Sequence, residues 1–190
     1  MSKKTVIGIT GRTGSGKSLA CQWINSNLNN VEHIDCDEIG HEVLEIPNIK
    51  SKLIQTFGES IEENGKINRS KLGQIVFNNK EKLLQLNEIV HPKICNEVNK
   101  IIKTTKQSTI IVEGALIHYV GLEDICTHTI CIDSPTKTII ERRPDKEIIL
   151  SKQPKANDYI NMCTHTIKNN TTIELFEKKL SQLFDRLNII

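Results

Sequence analysis

The sequence predicts an α/β protein built on a parallel sheet, with a helical insertion and a short lid. Three observations predict it. A glycine-rich loop stands between a strand-like and a helix-like run, a long helical passage interrupts the alternation of strands and helices, and an arginine pair precedes a polar stretch late in the chain. The loop, Gly11-Arg12-Thr13-Gly14-Ser15-Gly16-Lys17-Ser18, fits G-x-x-x-x-G-K-[ST] at every defined position. Thr5-Val6-Ile7-Gly8-Ile9 before it is apolar and β-branched, as a buried strand requires, and Leu19 to Ile24 after it favours a helix. Glycines let backbone NH groups turn inward around a polyphosphate at the positive end of the following helix. Lys17 is then placed to reach the β- and γ-phosphates, and Ser18 to offer a hydroxyl to a magnesium ion. This is the signature of nucleotide-dependent phosphoryl transfer.

At 190 residues the chain can bury one good core with a small insertion. Apolar residues make up 37% and aromatics 4%, so isoleucine and leucine must build that core. A net charge of +2, with 20 Lys and 5 Arg spread along the chain, argues against a nucleic-acid surface. No apolar run approaches a membrane span and no signal-type core opens the chain, which predicts a cytoplasmic protein with no membrane partner. The six cysteines include no C-x-x-C pair; they read as small buried hydrophobes, and none is assigned to zinc.

Val31 to Asp35 reads as a second strand, and Asp35-Cys36-Asp37 falls at its carboxyl end, where open α/β sheets hold ligands. Either acid can face a γ-phosphate or cap a helix starting near Glu38. From Ile39 to about Lys106 the pattern is mainly helical, broken by Pro47, Phe57-Gly58, a turn at Glu63-Asn64-Gly65-Lys66, and His91-Pro92, which is expected to restart a helix running toward Ile101. So long a passage exceeds a simple crossover and predicts a substrate-binding insertion over about 40–106. Ser108 to Gly114 is a central strand ending in Glu113, which is either a group facing magnesium through water or a surface acid. Thr127 to Asp133 is another strand. Ser134-Pro135-Thr136 then opens a helix that ends on Arg142-Arg143, where a lid over about 142–157 would present guanidinium groups to the transferring phosphoryl. After the polar stretch Ser151 to Asp158, Thr164 to Ile167 forms a last strand and Ile173 to Leu187 a packing helix.

The order of these motifs resembles the dephospho-coenzyme A kinases over most of the chain. The resemblance rests on the loop, on Ile34-Asp35-Cys36-Asp37-Glu38-Ile39, on Phe57-Gly58 with Gly65-Lys66-Ile67-Asn68-Arg69, on Leu86 to Ile94 with His91-Pro92 inside it, and on Ile167-Lys168-Asn169. It implies a three-layer P-loop kinase fold. It also implies transfer of the γ-phosphoryl of ATP, with Mg2+, to the ribose 3'-hydroxyl of dephospho-coenzyme A. Carried over, Asp37 faces that hydroxyl and accepts its proton, with Asp35 beside it, and Lys17 and Arg142 or Arg143 neutralise charge. Gly11 through Leu19 and Asn169 belong to the nucleotide side, while His41, Arg69 and His91 fall in the substrate region. The chain departs from the family pattern at Arg12-Thr13, where Gly-Ile is usual, and at His41, where arginine is common. It departs again at Leu116 to Tyr119 and in a shorter stretch between Arg143 and Gln153. Another small-molecule kinase on the same core is the nearest alternative. A GTP switch is more distant, since Asp37-Glu38-Ile39-Gly40 imitates D-x-x-G but no N-K-x-D follows. A monomer or small homo-oligomer is expected.

Overall fold

The β-branched runs become strands and the 3.6-periodic stripes become helices. The computed structural model describes residues 4–189. In chain order the elements are β1 (Thr5–Thr10), α1 (Lys17–Asn27), β2 (Val31–Asp35), α2 (Cys36–Leu44), α3 (Pro47–Phe57), β3 (Glu62–Glu63), β4 (Lys66–Ile67), α4 (Arg69–Val76) and α5 (Lys80–Thr104). There follow β5 (Thr109–Glu113), α6 (Ile117–Val120), β6 (His128–Asp133), α7 (Thr136–Arg142), α8 (Glu147–Lys152), α9 (Ala156–Met162), β7 (His165–Lys168) and α10 (Ile173–Arg186). The described residues fall into two compact units, 4–35 with 105–189, and Cys36–Thr104.

The first unit holds a five-stranded sheet in the order β2-β5-β1-β6-β7, every pairing parallel, as the expected α/β class requires. Alternation along β1 sorts its side chains between two covered faces. Ile7 and Ile9 join Ile111, Ile130 and Ile132 under Ala20, Cys21 and Ile24 of α1 and Phe176, Leu180 and Phe184 of α10. Gly8 points the other way, and a Cβ there would meet the Cys126 Sγ at 3.1 Å and Ile117 Cδ1 at 3.5 Å. Register aligns Asp35 with Glu113 and Glu113 with Ile9, so the carboxyl ends of three strands finish in one row just before the glycine-rich loop. Among the described residues no helix is long and apolar enough to cross a membrane.

The second unit is helical except for one hairpin. Asn64 (φ 52) and Gly65 (φ 74) both take left-handed backbone, the geometry of a tight two-residue hairpin turn, and they join β3 to β4. Asn68 caps α4, its side chain accepting from the Lys71 NH at 3.0 Å. The expected restart at His91-Pro92 does not occur: α5 runs unbroken through Pro92. Val90, Ile94 and Val98 lie on one buried face of that helix, and continuous burial outweighs the loss of one backbone donor. The helix expected near Glu38 begins at Cys36, which places Asp37 within its first turn, where a carboxylate complements the helix dipole. The polar stretch Ser151 to Asp158 carries the end of α8 and the start of α9.

Candidate active site

The loop between β1 and α1 is shaped by what its glycines permit. Gly11 (φ +139) passes so close to β6 that a Cβ would fall 2.3 Å from the Ile132 carbonyl oxygen. Gly16 (φ +109) would bring one to 2.2 Å from Asn169 Nδ2. Neither position accepts a side chain. Gly16 is also the N-cap of α1, with no side-chain cap and no acid of its own in the first turn, so the positive end of an 11-residue helix faces the loop. Ser15 is buried at 1% exposure and its Oγ has no hydrogen-bond partner among the described residues. A backbone cradle of this kind fits a polyphosphate.

Four side chains fix the loop in place. Arg12 is buried and donates to the Ser134 carbonyl at 2.7 Å and to Thr136 Oγ1 at 2.9 Å, with Asp133 at 4.0 Å. Asn169 donates from its side chain to the Ser15 carbonyl at 2.8 Å, while its own carbonyl accepts from Ser134 Oγ at 2.8 Å and Arg142 Nη1 at 3.2 Å. Gln153, between α8 and α9, accepts from the Thr13 NH at 2.8 Å. Lys17 curls back so that its Nζ donates to the Gly11 carbonyl at 3.2 Å. Arg12 thus ties loop, strand and helix together.

Glu113 is not a surface acid. It is 7% exposed at the end of β5, and its Oε1 accepts from Ser18 Oγ at 3.1 Å. Its Oε2 lies 3.2 Å from His33 Nε2. Burial pushes this carboxyl up, but hydrogen bonds with His33, Cys21 and Ser18, together with the Lys17 charge, outweigh it and hold it below its ordinary value. The same bond to Glu113 raises His33 against the effect of burial. A hydroxyl and an ionised carboxylate 3.1 Å apart beside the loop are a hard-oxygen pair that fits magnesium.

The remaining predicted residues are placed as follows. Asp35 closes β2 in register with Glu113. Arg142 ends α7 and donates to the carbonyls of Asn169 and Thr171, both at 3.2 Å, whereas Arg143, which follows it, is exposed and held in a two-pronged pair with Asp145 at 3.0 Å. In the helical unit, Asp37 and His41 stand on α2, Arg69 opens α4, and His91 lies in mid-α5. Leu19 follows Ser18 in α1. Sequence reasoning missed His33, Cys21, Ser134 and Gln153. The first two were findable only as the residue two before Asp35 on a strand and the residue three after Ser18 on a helix, spacings that share a face.

With this geometry in hand, comparison with known proteins is decisive. The family model described as dephospho-CoA kinase matches residues 5–174. The chain belongs to the dephospho-CoA kinase family. A dephospho-CoA kinase of Fusobacterium nucleatum is 31% identical over 191 residues, covering 96% of this chain and 98% of the relative. One from Lactobacillus johnsonii is 31% identical over 194 residues, covering 95% and 97%. A Thermus thermophilus protein of solved structure superposes with a TM-score of 0.80 at 22% identity, over 97% of this chain and 98% of that one, which speaks for the fold. The family expectation and the parallel P-loop kinase fold are both borne out. As a dephospho-CoA kinase family member, the chain carries Gly11 to Ser18 on a loop in which Gly11 and Gly16 take backbone that side chains rarely adopt.

Proposed function

We propose that this protein transfers the γ-phosphoryl of ATP to the ribose 3'-hydroxyl of dephospho-coenzyme A, giving coenzyme A. The observation that carries the reading is the joint one of a family match over 170 residues, counted from 5 to 174, and a loop built for polyphosphate beside the Ser18–Glu113 pair. The NH groups of residues 14 to 19 hold the phosphates, and Lys17 swings from its own loop carbonyl to the β- and γ-oxygens. Ser18 and Glu113 would hold a magnesium ion, which would supply charge neutralisation to the phosphates. Asp37 orients the 3'-hydroxyl and takes up its proton, with Asp35 as its neighbour. His41, Arg69 and His91 serve the substrate side.

Charge on the transferring group falls to Lys17 and to an arginine after α7. Arg143 fits this role better than Arg142, because its partner Asp145 is an exposed neighbour that exchanges readily, whereas Arg142 braces the Asn169 and Thr171 carbonyls. Asn169 and Arg12 act on the nucleotide by holding the loop. The stretch over about 142–157 is the lid, tied to the loop by Gln153 and Thr13. The reaction is driven by positioning and electrostatics, and its setting is cytoplasmic.

Replacing Asp37 by Asn tests the acceptor side. The expected result is a fall in kcat of about 10²–10⁴ with KM for ATP unchanged and stability lowered by no more than about 1 kcal/mol, the worth of a carboxylate in the first turn of α2. Near-normal turnover of the Asp37→Asn enzyme would remove Asp37 from the mechanism.

A further inference from the structure

We propose that Cys21, His33 and Glu113 form a binding site for a soft divalent cation such as zinc, and that filling it inhibits phosphoryl transfer by neutralising the Glu113 carboxylate whose other oxygen pairs with Ser18. The inhibitory part rests on the function proposed above; the binding part does not. The three residues come from α1, β2 and β5, and one ligand atom from each lies within 4.8 Å of the others. His33 Nε2 and Glu113 Oε2 are 3.2 Å apart. Bond lengths of about 2.0–2.3 Å in a tetrahedral zinc site put neighbouring ligands about 3.3–3.6 Å apart. The imidazole and carboxylate already stand near that spacing, and the thiol needs only a short approach.

The chemistry of the set selects the ion. One sulfur, one imidazole nitrogen and one carboxylate oxygen suit zinc or cobalt, whereas magnesium prefers oxygen alone. Cys21 (2%) and Glu113 (7%) are buried, so an ion there is held in a low-dielectric setting, while the half-exposed His33 imidazole gives it a way in from solvent. Burial and the Glu113 carboxylate keep the Cys21 thiol protonated without a metal. As the sulfur–metal bond forms, that proton leaves to solvent, so binding strengthens as pH rises. Three protein ligands leave a fourth position for water. The sequence assigned no cysteine to a metal because Cys21 and His33 meet only through packing of α1 on the β2–β5 pair.

Cobalt chloride titrated into the protein reads the site directly. The expected result is one equivalent bound with a thiolate-to-cobalt charge-transfer band, abolished in Cys21→Ala and displaced by zinc. In His33→Gln the affinity should drop at least about tenfold, since even groups behind a ligand are worth about 10–100-fold. With saturating ATP and magnesium, zinc should inhibit the unmodified enzyme at concentrations at least about tenfold below those needed for either variant. A band that survives Cys21→Ala, or equal zinc inhibition of all three proteins, overturns the proposal. Should Cys21→Ala lose its helical circular dichroism, the His33→Gln comparison decides. Cobalt binding without turnover of dephospho-coenzyme A would count against the proposed reaction and leave the metal site standing.

Discussion

At the scale of single residues, Arg12 carries more structure than its place inside a phosphate loop suggests. Its guanidinium satisfies the carbonyl of fully buried Ser134 and the hydroxyl of Thr136, so it binds the loop to the end of β6 and the start of α7. Arg12→Met should therefore cost about 2–3 kcal/mol of stability in urea denaturation, because a charged hydrogen-bond pair is lost and a buried acceptor is orphaned. The same variant should raise KM for ATP, since the loop loses its anchor; unchanged stability and KM would deny the tie. A second residue-level expectation concerns Cys163. A hydrogen bond from Cys131 holds its thiol below the ordinary range against burial, and His118 Nε2, 3.3 Å from the sulfur, adds to the effect. A lowered thiol is ionised at lower pH, so the iodoacetamide rate of Cys163 should level off at a lower pH than that of free cysteine. Mass spectrometry after limited labelling at pH 7 should find Cys163 modified first among the six thiols, and His118→Ala should slow it.

At the scale of elements, α5 shows where local signals and packing part company. Pro92 lies inside a 25-residue helix and removes one of its hydrogen bonds. Pro92→Ala should stabilise the protein by about 1–3 kcal/mol, measured as a shift of the urea midpoint; a lower midpoint would mean that the proline is needed to bend α5 onto its neighbours. What the sequence made legible follows the same division. The loop could be read because its chemistry is written in eight consecutive residues, and β1 and β5 because their apolar runs are long. The unbroken α5 could not be read, since the proline is local and the buried Val90, Ile94 and Val98 face that overrides it is not. The Glu113 cluster was hidden for a related reason: spacing puts His33 on the face of Asp35 and Cys21 on that of Ser18, but only strand register and helix packing bring both to Glu113. Helices α8 and α9, six and seven residues long, are too short for periodicity to announce them.

At the scale of the molecule, the proposed mechanism draws on residues of both units. The sheet-bearing unit holds the loop, Ser18, Glu113, Arg142 and Arg143, and the helical unit holds Asp37, His41, Arg69 and His91. The loop alone supports polyphosphate binding, and a family match over nearly the whole chain is what extends it to a particular acceptor. The central claim is therefore that phosphoryl transfer depends on dephospho-coenzyme A. The direct measurement is ADP release from ATP and magnesium, with and without that acceptor. We predict slow release without it and turnover on the order of 1–100 per second with it. Equal release in both cases, or stimulation only by another acceptor such as a nucleoside, would contradict the account.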